Sequence, residues 1–121
     1  MSYTSEIGRI GEQLVADYLK SKGFLILKQN YRSGFGEIDI IAETPDEIIF
    51  VEVKTRKEDF LASPADAVDY NKQRKIIKTA YEFLKRIHVR CNIRFDIAEV
   101  TYTAGEKKRF SLNYVKNAFH P

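Results

Sequence analysis

The spacing of apolar side chains predicts a helix near the start of the chain. Between residues 4 and 19 the apolar positions follow helical periodicity, and Gly11 and Val15 flank the main stripe of Ile7, Ile10, Leu14 and Tyr18. Thr4 or Ser5 can cap the first turn, and Gly23 stands where such a helix would end.

Alternating and continuous apolar runs predict five strands and a second helix. The strands are expected at residues 24–31, 37–42, 48–54, 93–100 and 109–112, and the long helix at 71–88. Residues 57–64 have loop character, and Pro64 is expected to open a short helical turn through Val68. A helix between the third and fourth strands predicts a right-handed crossover and parallel pairing of those two strands. We therefore expect one α/β domain over residues 1–121, with a mixed sheet flanked by helices in the order α-β-β-β-α-β-β.

The second and third strands are expected to form a hairpin that brings acidic side chains together. Thr44-Pro45-Asp46-Glu47 suits a type I turn, and a turn centred between its two middle residues sets Asp39 opposite Glu52. The other facing pairs are Glu37 with Lys54 and Ile41 with Phe50. Facing side chains in an antiparallel pair have Cβ atoms about 4.5–5.5 Å apart. This register predicts two carboxylates in contact, with Lys54 beside them.

Two carboxylates at that separation repel each other unless solvent, a proton or a cation relieves them. Solvent is the weakest candidate because the opposite face of the hairpin is apolar, comprising Ile38, Ile40, Ile49, Val51 and Val53. Mg²⁺ is commonly held by one or two carboxylates, and Lys54 can stabilise a phosphate oxygen or orient an attacking water. This combination is typical of phosphodiester hydrolysis. The alternative is a surface hairpin whose charges form weak ion pairs.

The formal net charge of +3 conceals an uneven distribution along the chain. Residues 1–70 hold 8 Lys/Arg and 13 Asp/Glu, a net charge of −5, whereas residues 71–121 hold 12 and 4, a net charge of +8. This division suits a protein that binds a cation through one surface and an anion through another. Ordinary solvation of the surface is the alternative explanation.

Composition argues against several classes of protein. No stretch approaches the roughly 18 apolar residues of a membrane helix, so we expect a soluble protein without a membrane partner. The first residues lack a basic segment followed by an apolar one, so we expect a cytoplasmic location. The single cysteine, Cys91, forms no internal bridge, argues against zinc clusters with several thiolates, and is expected to be a small buried residue.

Two strand motifs resemble the core of a known superfamily. Gly36-Glu37-Ile38-Asp39-Ile40-Ile41-Ala42 and Phe50-Val51-Glu52-Val53-Lys54-Thr55-Arg56 resemble the D-x(n)-E-x-K core of the restriction-endonuclease-like, or PD-(D/E)xK, superfamily. Nearly the whole chain resembles the YraN-like bacterial family assigned to it. The further matching pieces are Gly8-x-x-Gly11-Glu12, Ser63-Pro64-Ala65-Asp66-Ala67-Val68, Lys72-Gln73-Arg74, Arg94-Phe95-Asp96 and Asn117-Ala118-Phe119. The resemblance implies a nuclease fold; membership alone does not establish activity.

The resemblance also implies roles for individual residues. Asp39 and Glu52 match the metal-binding acids and Lys54 the catalytic lysine, while Ile38 replaces the proline that often precedes the aspartate. Glu12 resembles a first-helix glutamate of Holliday-junction-resolvase-like relatives; a solvated glutamate is the alternative. Gln73 matches a glutamine that contacts the site in relatives, and a hydrogen bond at the helix start explains it equally well.

Basic residues of the second half are candidates for nucleic-acid contacts. Lys72, Arg74, Lys75 and Lys78 cluster on the long helix, and Arg56 follows the third strand. Because no pattern suggests base reading, we expect backbone or structure recognition. Tyr31, Phe35 and Phe60 can stack on bases, although core or rim packing is the favoured reading for each. Asp96 either approaches the site or pairs with Arg94 or another base.

These observations lead to three hypotheses. The first is a DNA endonuclease that uses Mg²⁺ or Mn²⁺ and acts on branched or otherwise structured DNA. The second is a non-catalytic nucleic-acid-binding adaptor with a nuclease-like fold, and the third is a structural or protein-interaction domain. A homodimer is compatible with cutting both strands of a junction, but no residue pattern marks an interface.

Overall fold

The computed structural model describes residues 6–58 and 68–121, which form two helices and five strands. In chain order they are α1 (Glu6–Ser21), β1 (Leu25–Arg32), β2 (Glu37–Glu43), β3 (Glu47–Lys57), α2 (Tyr70–Ile87), β4 (Asn92–Tyr102) and β5 (Phe110–Phe119). The α/β class and the order α-β-β-β-α-β-β are those expected from the sequence. The predicted caps Thr4 and Ser5 and the predicted helical turn at Pro64 lie outside the described residues.

The five strands form one mixed sheet in the order β1-β2-β3-β4-β5. Neighbouring strands are antiparallel except β3 and β4, which are parallel. Parallel neighbours need a long connection, and α2 lies in it. The predicted parallel pairing of the third and fourth strands is confirmed. Neither helix in the described segments is long and apolar enough to cross a membrane.

Each face of the sheet carries its own hydrophobic core. The core beneath α2 contains Ile38, Ile41, Ile48, Phe50, Val68, Ile76, Ile77, Ala80, Phe83, Phe95 and Phe119. The core beneath α1 contains Val15, Ala16, Leu19, Ile40, Ala42, Ile49, Val51, Ala98 and Val100. The central strands are therefore covered on both sides, which explains the almost continuous apolar runs in β2 and β3.

The buried face of α1 differs from the stripe expected from the sequence. The residues that face the sheet are Gly11, Glu12, Val15, Ala16 and Leu19, whereas Ile10 and Leu14 are each 38% exposed. The reason is the close approach at Gly11, where an added Cβ would lie 2.0 Å from Thr55 Oγ1. Lacking a side chain, Gly11 lets α1 rest on β3 and turns the helix away from the predicted orientation.

Strand β5 is longer than expected and is anchored by Asp96. It runs to Phe119, past a left-handed residue at Asn117 with φ 53°. The Asn117 amide donates to Asp96 Oδ1 at 2.8 Å, Tyr114 Oη donates to Oδ2 at 2.6 Å, and Arg94 donates to both oxygens at 2.9 Å. Of the two alternatives for Asp96, the ion pair with Arg94 is correct.

The expectation that Cys91 is buried is wrong. Cys91 is exposed, because it lies between α2 and β4.

Candidate functional site

The two strands that carry the candidate acids separate at the position of those acids. The predicted hairpin register is present, since Ile41 pairs with Phe50 and Ile40 with Val51, but the ladder ends there. One step beyond, Asp39 Oδ2 accepts a hydrogen bond of 2.8 Å from the backbone N–H of Val53. The Asp39 side chain thus replaces a strand-to-strand hydrogen bond, and a gap opens between β2 and β3.

Side-chain alternation in β2 also changes at this point. Ile38 packs in the core beneath α2 together with Ile41, whereas Ile40 packs beneath α1. The expectation that Ile38 shares a face with Ile40 is therefore wrong. The irregularity lies beside Asn30 of β1, which has a left-handed conformation with φ 53°. A distortion of this kind re-aims the side chains next to it.

A cavity of about 800 Å³ occupies the gap and is bordered by both helices. Gly8 and Glu12 of α1 approach it from one face of the sheet, and Lys72, Lys75 and Ile76 of α2 approach it from the other. The strands and the β1–β2 turn supply Arg32, Ser33, Gly34, Phe35, Gly36, Glu37, Asp39, Glu52, Val53, Lys54 and Thr55. The separation of the strands therefore lets residues from both faces meet in one place.

Asp39 and Glu52 are the electrostatic centre of this cavity. Glu52 is 5% exposed, and the two carboxyl groups are hydrogen-bonded to each other. The pKa of Asp39 is raised to about 9, chiefly by burial and then by the charge of Glu52 and its hydrogen bond, while the Val53 N–H lowers it. Asp39 therefore keeps its proton at neutral pH.

Lys72 is the basic group in contact with this pair. Its Nζ forms an ion pair with Glu52 Oε2, and the exposed fractions of the two side chains are 42% and 6%. Partial burial opposes the charged form of Lys72, but the combined attraction of Glu52, Asp39 and Asp69 outweighs it and raises the pKa of the ammonium. Lys54 lies on β3 two residues after Glu52 and also lines the cavity. The predicted Asp39, Glu52 and Lys54 are thus brought together.

Two further acids lie at the same cavity. Glu12 is 9% exposed, and burial raises its pKa, opposed by a hydrogen bond from Asn30 and assisted by the charges of Glu37 and Glu52. The alternative of a solvated Glu12 is therefore wrong, because its side chain is buried at the cavity. Glu37 pairs with Arg32 at 3.5 Å, but its buried Oε1 finds no hydrogen-bond partner among the described residues.

The donor set fits a hydrated divalent cation better than a closed protein cage. Within residues 6–58 and 68–121, no three His, Cys, Asp or Glu side chains converge as a ready-made ligand group. Asp39 and Glu52 do converge, and Mg²⁺ is typically held by one or two carboxylates together with waters. The raised pKa of Asp39 and the unpartnered Glu37 oxygen both indicate a deficit of positive charge here.

The residues predicted to contact nucleic acid, and Gln73, lie in different parts of the structure. Lys75 is exposed at the cavity, and Arg74 and Lys78 are exposed on the same helix. Arg56 pairs with Glu99 at 3.4 Å. The Gln73 amide donates to the Val68 carbonyl at 3.1 Å, which is the hydrogen bond at the helix start that was the alternative explanation for Gln73. Gln73 does not line the cavity, so it is not part of the proposed site.

The aromatic candidates for base stacking differ in their exposure. Tyr31 packs edge-on against Phe83, with ring centroids 5.2 Å apart, and belongs to the core beneath α2. Phe35 is 53% exposed and lines the cavity. Phe60 lies outside the described residues.

Sequence reasoning missed two features of the site. It assigned Lys72 to the DNA-contacting surface, whereas Lys72 also neutralises Glu52. It treated Glu37 as a partner of Lys54, whereas Glu37 faces Arg32 on β1. A Lys placed three residues after the cap Asp69 signals an exposed first turn, but no local pattern indicates which strand that turn contacts.

Comparison with known proteins shows relatives along almost the whole chain. The family model described as "Uncharacterised protein family UPF0102" matches residues 11–100. A UPF0102 protein of Clostridium botulinum (strain 657 / Type Ba4) is 44% identical over 116 residues, which cover 94% of each chain. One of Alkaliphilus oremlandii (strain OhILAs) is 44% identical over 117 residues, covering 94% of this chain and 97% of the relative.

Proposed function

The chain belongs to the uncharacterised protein family UPF0102, and we propose that it acts as a metal-dependent DNA endonuclease that hydrolyses phosphodiester bonds. The proposal extends the resemblance of its two strand motifs to the PD-(D/E)xK superfamily. Asp39 and Glu52 hold Mg²⁺ or Mn²⁺ in this proposal, and Lys54 contacts the phosphate.

The observation that carries the proposal is the contact between the carboxyl groups of the buried Glu52 and the partly buried Asp39, beside two lysines. Placing Asp39 and Glu52 together costs stability, because one of them must keep a proton far above its ordinary pKa. A purely structural hairpin gains nothing from this arrangement. A divalent cation removes the cost, because both acids can then ionise.

The other residues supply positive charge on the open side of the acids. Lys54 and Lys75 line the cavity, and each can neutralise charge on a phosphate oxygen. Val53 N–H holds Asp39 in place, so the carboxylate does not need to reorganise. The cation itself, when bound, supplies water activation and charge neutralisation.

A metal-binding and cleavage experiment tests these roles separately. Asp39→Ala is expected to abolish Mn²⁺ binding in calorimetry, whereas Asp46→Ala, in the exposed turn between β2 and β3, is expected to leave it unchanged. Lys54→Ala is expected to retain Mn²⁺ binding and to cleave flapped or branched DNA about 100-fold more slowly or worse. Lys57→Ala, at the exposed end of β3, is the control. Cleavage that survives both Asp39→Ala and Lys54→Ala would refute the proposal.

One observation favours a second candidate function, a non-catalytic nucleic-acid-binding adaptor. Lys72 already neutralises Glu52, so the folded chain is partly balanced without a metal. The adaptor predicts DNA binding that is independent of Mn²⁺ and of Asp39. The nuclease predicts that Mn²⁺ binds at Asp39 and that the bound DNA is cut.

A further inference from the structure

The β1–β2 turn presents a large aromatic side chain to the cavity. Phe35 is 53% exposed and lines the same cavity as Asp39 and Glu52. It makes none of the ring contacts found among the described residues. A phenyl ring that is half exposed loses much of the stabilisation of burial, so this position does not serve the core.

The turn that carries Phe35 is held firmly against α2. The Phe35 amide donates to Ser33 Oγ at 3.1 Å, and Ser33 Oγ in turn donates to Thr79 Oγ1 at 3.5 Å. The Ser33 amide donates to the Gly36 carbonyl at 2.9 Å. A Cβ added at Gly36 would lie 3.4 Å from Thr79 Oγ1, so the turn packs closely on the helix. The backbone that carries the exposed ring therefore has a defined position.

Cations line the same cavity as this ring, together with the acids of the candidate site. Arg32, Lys54 and Lys75 line the cavity beside it, and the Arg32 side chain is 51% exposed. An apolar peptide or a second copy of the chain needs a flat apolar surface, whereas one ring among cations suits a group that has a π face and carries phosphates. A nucleotide meets both conditions.

We propose that Phe35 forms a stacking subsite for an unpaired nucleobase adjacent to the phosphate held in the cavity. This rests on the proposed nuclease function and specifies its substrate class. In a duplex the faces of internal bases are covered by their neighbours, so a protruding ring stacks without the cost of unstacking on a base that is single-stranded, flipped or at a strand end. The substrate is therefore a DNA segment with unpaired nucleotides at the site, as in flaps and junctions.

The absence of tryptophan in the chain allows a direct optical test. Phe35→Trp introduces a single indole at the subsite, and Tyr81→Trp introduces one on the outer surface of α2, where Tyr81 is 49% exposed. Each variant is titrated, with Ca²⁺ present and at fixed salt, with an oligothymidine strand and with an abasic strand of equal length. The two strands carry the same phosphates, so they differ only in bases. A gel verifies that the strands stay intact.

We expect oligothymidine to quench the fluorescence of Phe35→Trp and the abasic strand to leave it almost unchanged. Tyr81→Trp should respond to neither strand. In the otherwise native chain, Phe35→Ala should weaken binding of oligothymidine by about 5- to 150-fold, the range for loss of one base–aromatic stack, and should leave binding of the abasic strand within about twofold.

The outcomes separate the two proposals. Equal quenching by both strands, or by neither while the strands bind, overturns the stacking subsite and leaves the nuclease proposal standing. Failure of the native chain to bind either strand at low salt also overturns the subsite, and the Mn²⁺-binding and cleavage experiment on branched DNA then decides the nuclease proposal. Quenching that follows protein concentration in the absence of DNA identifies a second copy of the chain as the occupant and also overturns the subsite.

Discussion

At the scale of single residues, the site depends on Asp39 serving two purposes. One oxygen accepts the Val53 N–H at 2.8 Å, which closes the hairpin where the backbone ladder ends. The carboxyl group also contacts Glu52, which places two acids in a buried setting. The hydrogen bond from Val53 stabilises the hairpin, whereas the contact with Glu52 lowers the stability of the fold once Asp39 ionises. The pH dependence of the free energy of unfolding therefore measures the contact with Glu52.

Asp39→Asn tests that cost. An acid whose pKa is higher in the folded chain contributes stability that is fully present below its unfolded pKa, near 4, and is lost as pH rises toward its folded value of about 9. Asparagine keeps the uncharged shape at every pH. We therefore expect Asp39→Asn to match the native chain near pH 4 and to exceed it at pH 8 by about 1 kcal/mol or more, on the order of 4 °C in Tm.

Urea unfolding between pH 4 and pH 8, without divalent cations, measures this difference. Asp46→Asn in the exposed turn is the matched control and should follow the native curve. A gap between Asp39→Asn and the native chain that stays constant over this range would contradict the raised pKa.

Lys72 gives a second prediction at this scale. Its ammonium neutralises Glu52, the same carboxylate that is proposed to hold the metal, so Lys72 and the cation compete. Lys72→Met removes the charge and keeps much of the stem. We expect Mn²⁺ to bind about 3- to 10-fold more tightly, equivalent to about 1 kcal/mol, in calorimetry at constant salt. Lys75→Met, at an exposed cavity position, should change the affinity less; equal effects would show that only net charge matters.

At the scale of secondary-structure elements, the position of α1 on the sheet decides whether Glu12 reaches the cavity. The helix rests on β3 through Gly11, and Glu12 is the next residue. Helix propensity alone favours alanine over glycine by about 1 kcal/mol, so the glycine is explained by the contact.

Gly11→Ala is expected to destabilise the fold despite its better helix propensity. The new Cβ would meet Thr55 Oγ1 at 2.0 Å and Cβ at 3.0 Å, and overpacking of this kind costs about 1–3 kcal/mol. Adding Thr55→Ala should recover part of the loss, because it removes the nearest atom. Gly34→Ala, where an added Cβ meets no atom within 4 Å, is the control. Denaturation midpoints that do not fall in Gly11→Ala would show that α1 shifts freely.

At the scale of the whole molecule, folding joins the acidic and basic parts of the chain at one cavity. The sequence predicts separate surfaces for a cation and an anion, whereas Glu12, Asp39 and Glu52 line the same cavity as Lys72 and Lys75. A metal held by the acids would therefore lie within reach of a phosphate held by the lysines. In the proposed function, the acidic half of the chain holds the metal and the basic half holds the phosphate of the same phosphodiester linkage.

DNA binding should accordingly depend on salt through α2. Each phosphate contact contributes about 0.9 to the slope of log Kd against log salt for duplex DNA, so Lys75→Ala and Lys78→Ala should each lower the slope by roughly 1. Lys20→Ala, in the last turn of α1, should leave it unchanged. Fluorescence anisotropy at four or more salt concentrations measures the slopes; equal reductions for all three variants would place the DNA elsewhere.

The features that depend on local periodicity could be predicted from the sequence. The order of elements, the parallel pairing across α2 and the hairpin register that brings Asp39 to Glu52 follow from apolar spacing, turn chemistry and chain connection. The family could also be predicted, because its motifs are runs of adjacent residues. In each case the relevant information lies within a few residues of the position concerned.

Three features follow only from the packed fold: which face of α1 is buried, where β2 and β3 separate, and which of the aromatic candidates for stacking is exposed at the cavity. Each depends on contacts between distant segments, such as Gly11 with Thr55, Lys72 with Glu52, and Ser33 with Thr79. Apolar spacing shows which stripes of a helix could be buried. The closest approach between the helix and the strand beneath it selects the stripe that is buried. That distance is a property of the packed fold, which no local pattern in the chain expresses.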